Sequence, residues 1–330
     1  MNFCAAGFRS SAVIGTMLAG SLLSSPQEAS SVKSLPAKAS NPETQSPFRR
    51  NETSEFTTIH VGKQPYGLAF DGTNLWVANF ADDSVSKVRT NDGTVLGTFA
   101  TGGSQPYGLV CDGSNIWVSN LASANVGKLR ASDGKLLGTF AIGSNPGWLA
   151  FDGNNIWVPF GSSTIRKLRA SDGANLATFT VGYSPISAAY DGANIWVVNG
   201  GHGQRGSVTK LRASDGQVLG AFAVGAAPLG AAFDGSNIWI ANRGDETVTK
   251  LRASDGYILG AFKVPLGPYG IAFDGKNIWV SGALAVTELE AADGVIVNEF
   301  DLHGDSTTGI AFDGASIWVS RLNAAVVSKM

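Results

Sequence analysis

The pattern Asp-Gly-x-Asn-Ile-Trp-Val, or a close variant, is written seven times, beginning at Asp71, Asp112, Asp152, Asp191, Asp234, Asp274 and Asp313. The copies are 39 to 43 residues apart, and each carries a tryptophan five residues on: Trp76, Trp117, Trp157, Trp196, Trp239, Trp279 and Trp318. A period near 40 residues means that each unit is one supersecondary piece, unable to bury its apolar face without a neighbour. A second Asp-Gly corner alternates with the first, at 92–93, 133–134, 172–173, 215–216, 255–256 and 293–294. Corners of this kind between short apolar runs are β-hairpin turns. The first unit therefore reads as four strands: A from Tyr66 to Phe70, B from Leu75 to Asn79, C from Ser84 to Arg89 and D from Val95 to Phe99. Seven such units predict an all-β, seven-bladed β-propeller of four-stranded antiparallel blades.

The ends of the repeat support a ring over a solenoid. The last unit stops at Met330 after strand C, while Thr58-Ile59-His60-Val61-Gly62 resembles the D-strand ending Phe140-Ala141-Ile142-Gly143. An N-terminal strand is thus predicted to complete the last blade. Closure of that kind leaves no open repeat edge, whereas a solenoid needs polar caps that this sequence does not show.

Before the repeat, residues 1–29 read as a signal peptide. Its apolar run from Ala12 to Leu23 is too short to span a bilayer, and cleavage after Ser25 or Ala29 fits about equally. Residues 30–54, rich in Ser, Pro, Lys, Asn and Glu, cannot offset their ordering entropy and read as a flexible linker, leaving residues 55–330 as the propeller domain. The expectation is a secreted or periplasmic monomer with no transmembrane segment in the mature chain; an apolar tail on a cytoplasmic protein is the bland alternative.

Charged residues make up only 15% of the 330, against about 25% in an average soluble domain, and the net charge is −2. No broad basic surface is present to follow a phosphate backbone, so no nucleic-acid partner is expected. Of the two cysteines, Cys4 lies in the signal peptide. Cys111 stands where other units have Phe70, Phe151, Tyr190, Phe233, Phe273 and Phe312, which predicts a buried thiol outside any intramolecular disulfide.

The seven tryptophans repeat as packing demands and are expected in the core between blades. Strand C carries Lys87, Lys128, Lys167, Lys210, Lys250 and Lys329, with Glu288 in the sixth unit. Arg89, Arg130, Arg169, Arg212 and Arg252 follow, with Glu290 in the sixth unit. Together with the turn aspartates these basic residues predict a lattice of ion pairs and turn hydrogen bonds along the outer edges.

The unit P-x-G-x-A-F-D-G-x-N-I-W-V-x-N, followed by T-V-T-K-L-R-A-S-D-G-x-x-L-G-x-F, resembles the YVTN-repeat β-propellers over residues 55–330, with Trp where that family usually has Tyr. The virginiamycin B lyase propellers are similar in their Pro-x-Gly opening and strand-B Trp. That second resemblance implies a His and Glu constellation with a divalent cation on one face of the ring. Strand B here ends at Asn79, Asn120, Phe160, Asn199, Asn242, Gly282 and Arg321, mostly Asn where the lyase-like propellers are acidic.

A site is expected where the repeats stop agreeing, on the face carrying the D-to-A and B-to-C connections. Candidate ligand-binding residues there are Asn79, Asn120, Asn199 and Asn242 at the strand-B ends, with Arg205, Arg243 and Arg321 from the loops. The aromatic candidates are Tyr66, Tyr107, Tyr183 and Tyr269, and Trp148 in a slot where other units have Gly67, Gly108, Gly230 and Gly270. Trp148 fits an axial plug and a ligand platform equally. Two functions follow from the residues. One is a secreted binding protein, without cofactor, whose variable face takes a protein, peptide or glycan partner. The other is a divalent-metal-dependent lyase or hydrolase with His202 and Glu246 as catalytic residues and Asp245 or His303, beside Asp305, as further candidates.

Overall fold

The computed structural model describes residues 56–200, 205–265 and 267–330. The signal peptide and linker read from the sequence lie outside the described residues. Seven four-stranded antiparallel sheets form the blades of a propeller, as the period predicts. In blade one, strands A to D span Pro65–Phe70, Asn74–Asn79, Ser84–Arg89 and Val95–Ala100. The last blade takes its outer strand, Thr57–His60, from the N-terminal side, paired antiparallel to Val326–Lys329. Side chains of its inner strands reach the backbone of blade one, through Thr308 Oγ1 to Pro65 O (2.9 Å) and Ser320 Oγ to Tyr66 O (2.6 Å). The ring is closed.

The recurring motif is a hydrogen-bonded unit. Asp71 Oδ1 accepts the amides of Thr73 and Asn74, and its Oδ2 accepts the Trp76 indole N–H at 2.8 Å. All seven tryptophans donate to the Asp of their own turn at 2.7–2.8 Å. The polar edge of each indole is thereby satisfied where its ring is buried, as a buried Trp requires. Glycine follows the Asp because the corner is left-handed, with φ 95° at Gly72.

The strand-C lysines depart from the expected outer edge. Lys87, Lys128, Lys167, Lys210 and Lys250 are buried, and each ammonium crosses to the next blade. Lys87 Nζ donates to Ala131 O (2.6 Å) and Ser132 O (3.2 Å), beneath the second turn of blade two. The other four repeat this pair of bonds, and Lys329 reaches Thr90 O at 2.7 Å to join blade seven to blade one. Each ammonium also lies 4.9–5.4 Å from the centre of its own blade's Trp ring. A charge taken out of water is held here by carbonyls and a ring face rather than by a carboxylate. The arginines do form the expected exposed pairs, such as Arg89 with Asp92 at 2.8 Å.

The joint between blades six and seven explains the inverted charge of the sixth unit. The outer strand of blade seven comes from the other end of the repeat, so no turn follows its strand C. Among the described residues no turn carbonyls wait there for a lysine. Glu288 takes the position and accepts from Asn277 Nδ2 (2.5 Å) and Asn298 Nδ2 (2.6 Å). At five other joints an outer-strand Phe ring lies on the next turn's glycine, where an added Cβ at Gly134 would fall 2.2 Å from Phe99, and at the joint from blade seven to blade one Ile59 lies on Gly93. Between blades six and seven Phe300 instead meets Phe56 edge-on at 6.3 Å.

Candidate functional site

Residues from all seven blades meet in one cluster, which only the propeller axis allows: Tyr66, Tyr107, Trp148 and Leu229 are buried, with Phe80, Leu121, Ile186, Tyr269 and Leu322 packed against them. All of these side chains but Trp148 come from two positions of the repeat. One is the residue before the inner-strand glycine, or before Ser187 in blade four; the other is the first residue after strand B. The glycine itself is dictated by a neighbouring backbone, since a Cβ on Gly309 would stand 2.1 Å from Tyr66 O and one on Gly67 2.5 Å from Tyr107 O.

Blade three breaks this order with Pro146-Gly147-Trp148. The close approach passes to Gly147, whose Cβ would stand 2.1 Å from Ile186 O, and Trp148 bridges in parallel to Ser187. Its ring swings across the axis, 5.1 Å from Tyr107, which in turn lies 5.5 Å from Tyr66. Only 2% exposed, Trp148 packs within the axial cluster as a floor beneath Tyr107 rather than as a wall of the open cavity. Its Nε1 is buried without a hydrogen-bond partner of good geometry. Burial pushes the Tyr107 hydroxyl well above the usual tyrosine range; loose contact with the Trp148 indole opposes this, and the Tyr66 and Tyr269 phenols add to it. Tyr66 is raised too, by burial and then by Tyr269, against the pull of Arg243.

Above this floor the funnel is filled on one side and open on the other. Phe80, Leu121 and Leu322 occupy the first position after strand B in blades one, two and seven, while blades three and four have Gly161 and Gly200 there. Beside Gly161 lies a cavity of about 440 Å³, walled by Tyr107, Leu121, Ile186, Leu229 and Tyr183, with Asn145, Ser162 and Ser184 among its polar groups. Arg243 is its one formally charged lining residue, and its guanidinium stacks 4.7 Å from the Tyr269 ring. Among the described residues Arg243 makes no ion pair.

The loop-face acids hold loops. Asp245 Oδ2 accepts Ala226 N at 2.8 Å, and Asp305 accepts the amides of Asn323 and Ala324 and pairs with Arg321 at 3.3 Å. Glu246 is half-buried at a left-handed position, φ 53°, and does not line the cavity. His303 is exposed, its amide donating to Asp301. His202 lies outside the described residues. Among the described residues no three His, Cys, Asp or Glu side chains are gathered to hold a metal ion.

The structure thus brings Tyr66, Tyr107, Trp148, Tyr183, Tyr269 and Arg243 to the funnel. Asn79, Asn120, Asn199 and Asn242 are buried within their own blades, where their Nδ2 groups donate to strand-C side chains such as Ser86 (2.9 Å) and Thr249 (2.8 Å). Arg205 opens a lengthened strand C in blade four and is exposed. Sequence reasoning missed Ile186 and Leu229. They share the slot of Tyr66 and Tyr107, so the signal was the position rather than aromatic character.

No protein-family description matches this chain, and no curated protein matches its sequence. Solved structures do. Hydrazine synthase from Kuenenia stuttgartiensis superposes with a TM-score of 0.70 at 18% identity, over 82% of this chain and 97% of that one. A catalytically inactive virginiamycin B lyase from Staphylococcus aureus, solved with quinupristin, gives a TM-score of 0.69 at 18% identity, over 83% and 99%. At that identity the likeness is one of fold.

Proposed function

We propose that this chain is a non-catalytic binding propeller of the YVTN-repeat type, exported by its N-terminal segment, which takes a protein or peptide partner through the loop face. The observation that carries this reading is the cavity itself. It opens where blade three puts Gly161 in place of the bulky residue that blades one, two and seven carry there, while the acids of the same face are tied to loop backbone. A wall of aromatic and aliphatic side chains with a few placed polar groups is what a recognition pocket offers. A glycan fits less well, because no carboxylate lines the cavity to accept from sugar hydroxyls.

Peptides selected from a displayed library on the immobilised full chain are expected to bind at least about tenfold more weakly to Ile186→Arg, a loss of about 1.4 kcal/mol. They are expected to bind unchanged to Ser236→Arg on the opposite face. Peptides indifferent to Ile186→Arg would overturn the reading. A saturable rise in melting temperature with Mg²⁺, Ca²⁺ or Mn²⁺, abolished by Glu246→Ala, would replace it with the metal-dependent lyase. Export is tested by the N-terminal peptide of protein recovered outside the cytoplasm, which is expected to begin after Ser25 or Ala29; an intact Met1 refutes it.

A further inference from the structure

The chemistry of the cavity narrows the partner, on the assumption that the loop face is the binding face. At about 440 Å³ the cavity admits one or two residues of a chain and no folded surface. One cation and no carboxylate line it, so its electrostatic complement is a single negative charge. That cation is pre-oriented. The guanidinium carbon lies 4.7 Å over the centre of the Tyr269 ring, a contact that restricts the side chain, and a restrained fork loses less freedom when it grips a carboxylate with two hydrogen bonds. The apolar walls of Ile186, Leu229 and Tyr107 share the same small volume, so the anion and an apolar group must come from nearly the same point of the ligand. A C-terminal residue meets this condition, with carboxylate and side chain on one Cα. An acidic side chain beside an aromatic residue does not, because it also drags unpaired backbone amides into the cavity. Asn145, Ser162 and Ser184 supply polar partners for the amide of the preceding residue.

We propose that the funnel cavity reads peptide C-termini, with Arg243 gripping the terminal carboxylate and an apolar last side chain entering between Tyr107, Ile186 and Leu229. The test is calorimetric titration of the full chain with Ac-Ala-Ala-Phe-OH, its Trp- and Leu-ended analogues, the corresponding C-terminal amides, and 3-phenylpropionate. The free acids are expected to bind saturably and at least about tenfold more tightly than the amides. Arg243→Gln, folded by its melting temperature, is expected to erase that preference. Equal binding of acid and amide, or an unchanged preference in Arg243→Gln, overturns the proposal while leaving the wider binding reading intact. Binding of 3-phenylpropionate as tight as that of the peptide overturns it in favour of a small arylalkanoate. No binding by any free acid overturns it as well, and the displayed-library experiment with Ile186→Arg then decides the wider reading separately.

Discussion

The two faces of the ring are built from the same seven blades and obey different rules. On the turn face one set of residues makes one set of bonds at nearly every joint: Asp to indole, Lys to the next blade's carbonyls, Phe on the next blade's glycine. On the loop face equivalent positions carry Tyr66, Tyr107, Gly147, Ile186, Leu229, Tyr269 and Thr308, and the funnel they surround is filled on one side and open on the other. Repetition serves cohesion, because a joint is solved once and copied. Departure from repetition makes a cavity, because a ring of identical side chains would fill or empty its axis evenly.

The strongest way to test this contrast is to truncate one tryptophan on each side of it. Trp157→Ala is expected to cost about 3–5 kcal/mol by denaturant unfolding. Trp148→Ala, also buried, is expected to fall in the same range, but it alone is expected to change peptide binding, since its ring packs against Tyr107, a wall of the cavity. A loss below about 1 kcal/mol for Trp148→Ala would show that the floor is not packed as core.

The lysine joint gives the next effect. Lys210→Met is expected to cost about 1.5–3 kcal/mol by loss of charge-assisted bonds to Ala253 O and Ser254 O. Glu288→Lys, which restores the repeat's own residue, is expected to destabilise rather than stabilise, because blade seven offers no turn to receive it. A stabilised Glu288→Lys would break the account of the closing joint.

The exposed pairs of the turn face come last. Asp255 is held down to about 2 by the Arg252 guanidinium and then by the Tyr257 amide. Its stabilising contribution is therefore complete above the ordinary carboxylate value and lost as pH falls through about 2. A carboxyl titration followed by NMR is expected to show the Asp255 midpoint rising in Arg252→Gln, which removes the first cause of its depression. An unchanged midpoint would remove the pairing from the argument.

Individual residues show where the sequence was legible. The Asp-x-x-Asn-x-Trp spacing announced a turn, and the structure adds the indole-to-carboxylate bond that explains why Asp and Trp travel together. The lysines were legible as strand-C residues and misplaced as outer ones, because alternation along one strand cannot show that the next blade's turn hangs over it. The strand-B asparagines looked like a polar ring at the mouth; folding turns them inward onto Ser86 and Thr249. Trp148 was visible as an anomaly, yet its role depended on Gly147 taking over the contact with Ile186 O, a relation between blades.

The sequence by itself determined the blade count, the strands of each blade and the closure of the ring, since period, turn chemistry and alternation are local and repeat along the chain. Only the tertiary structure decided which side chains meet at the axis, which charges cross between blades and where the funnel stays open. Those contacts join residues some 40 or more positions apart, as Lys87 joins Ala131 and Ser320 joins Tyr66, and no local pattern encodes them.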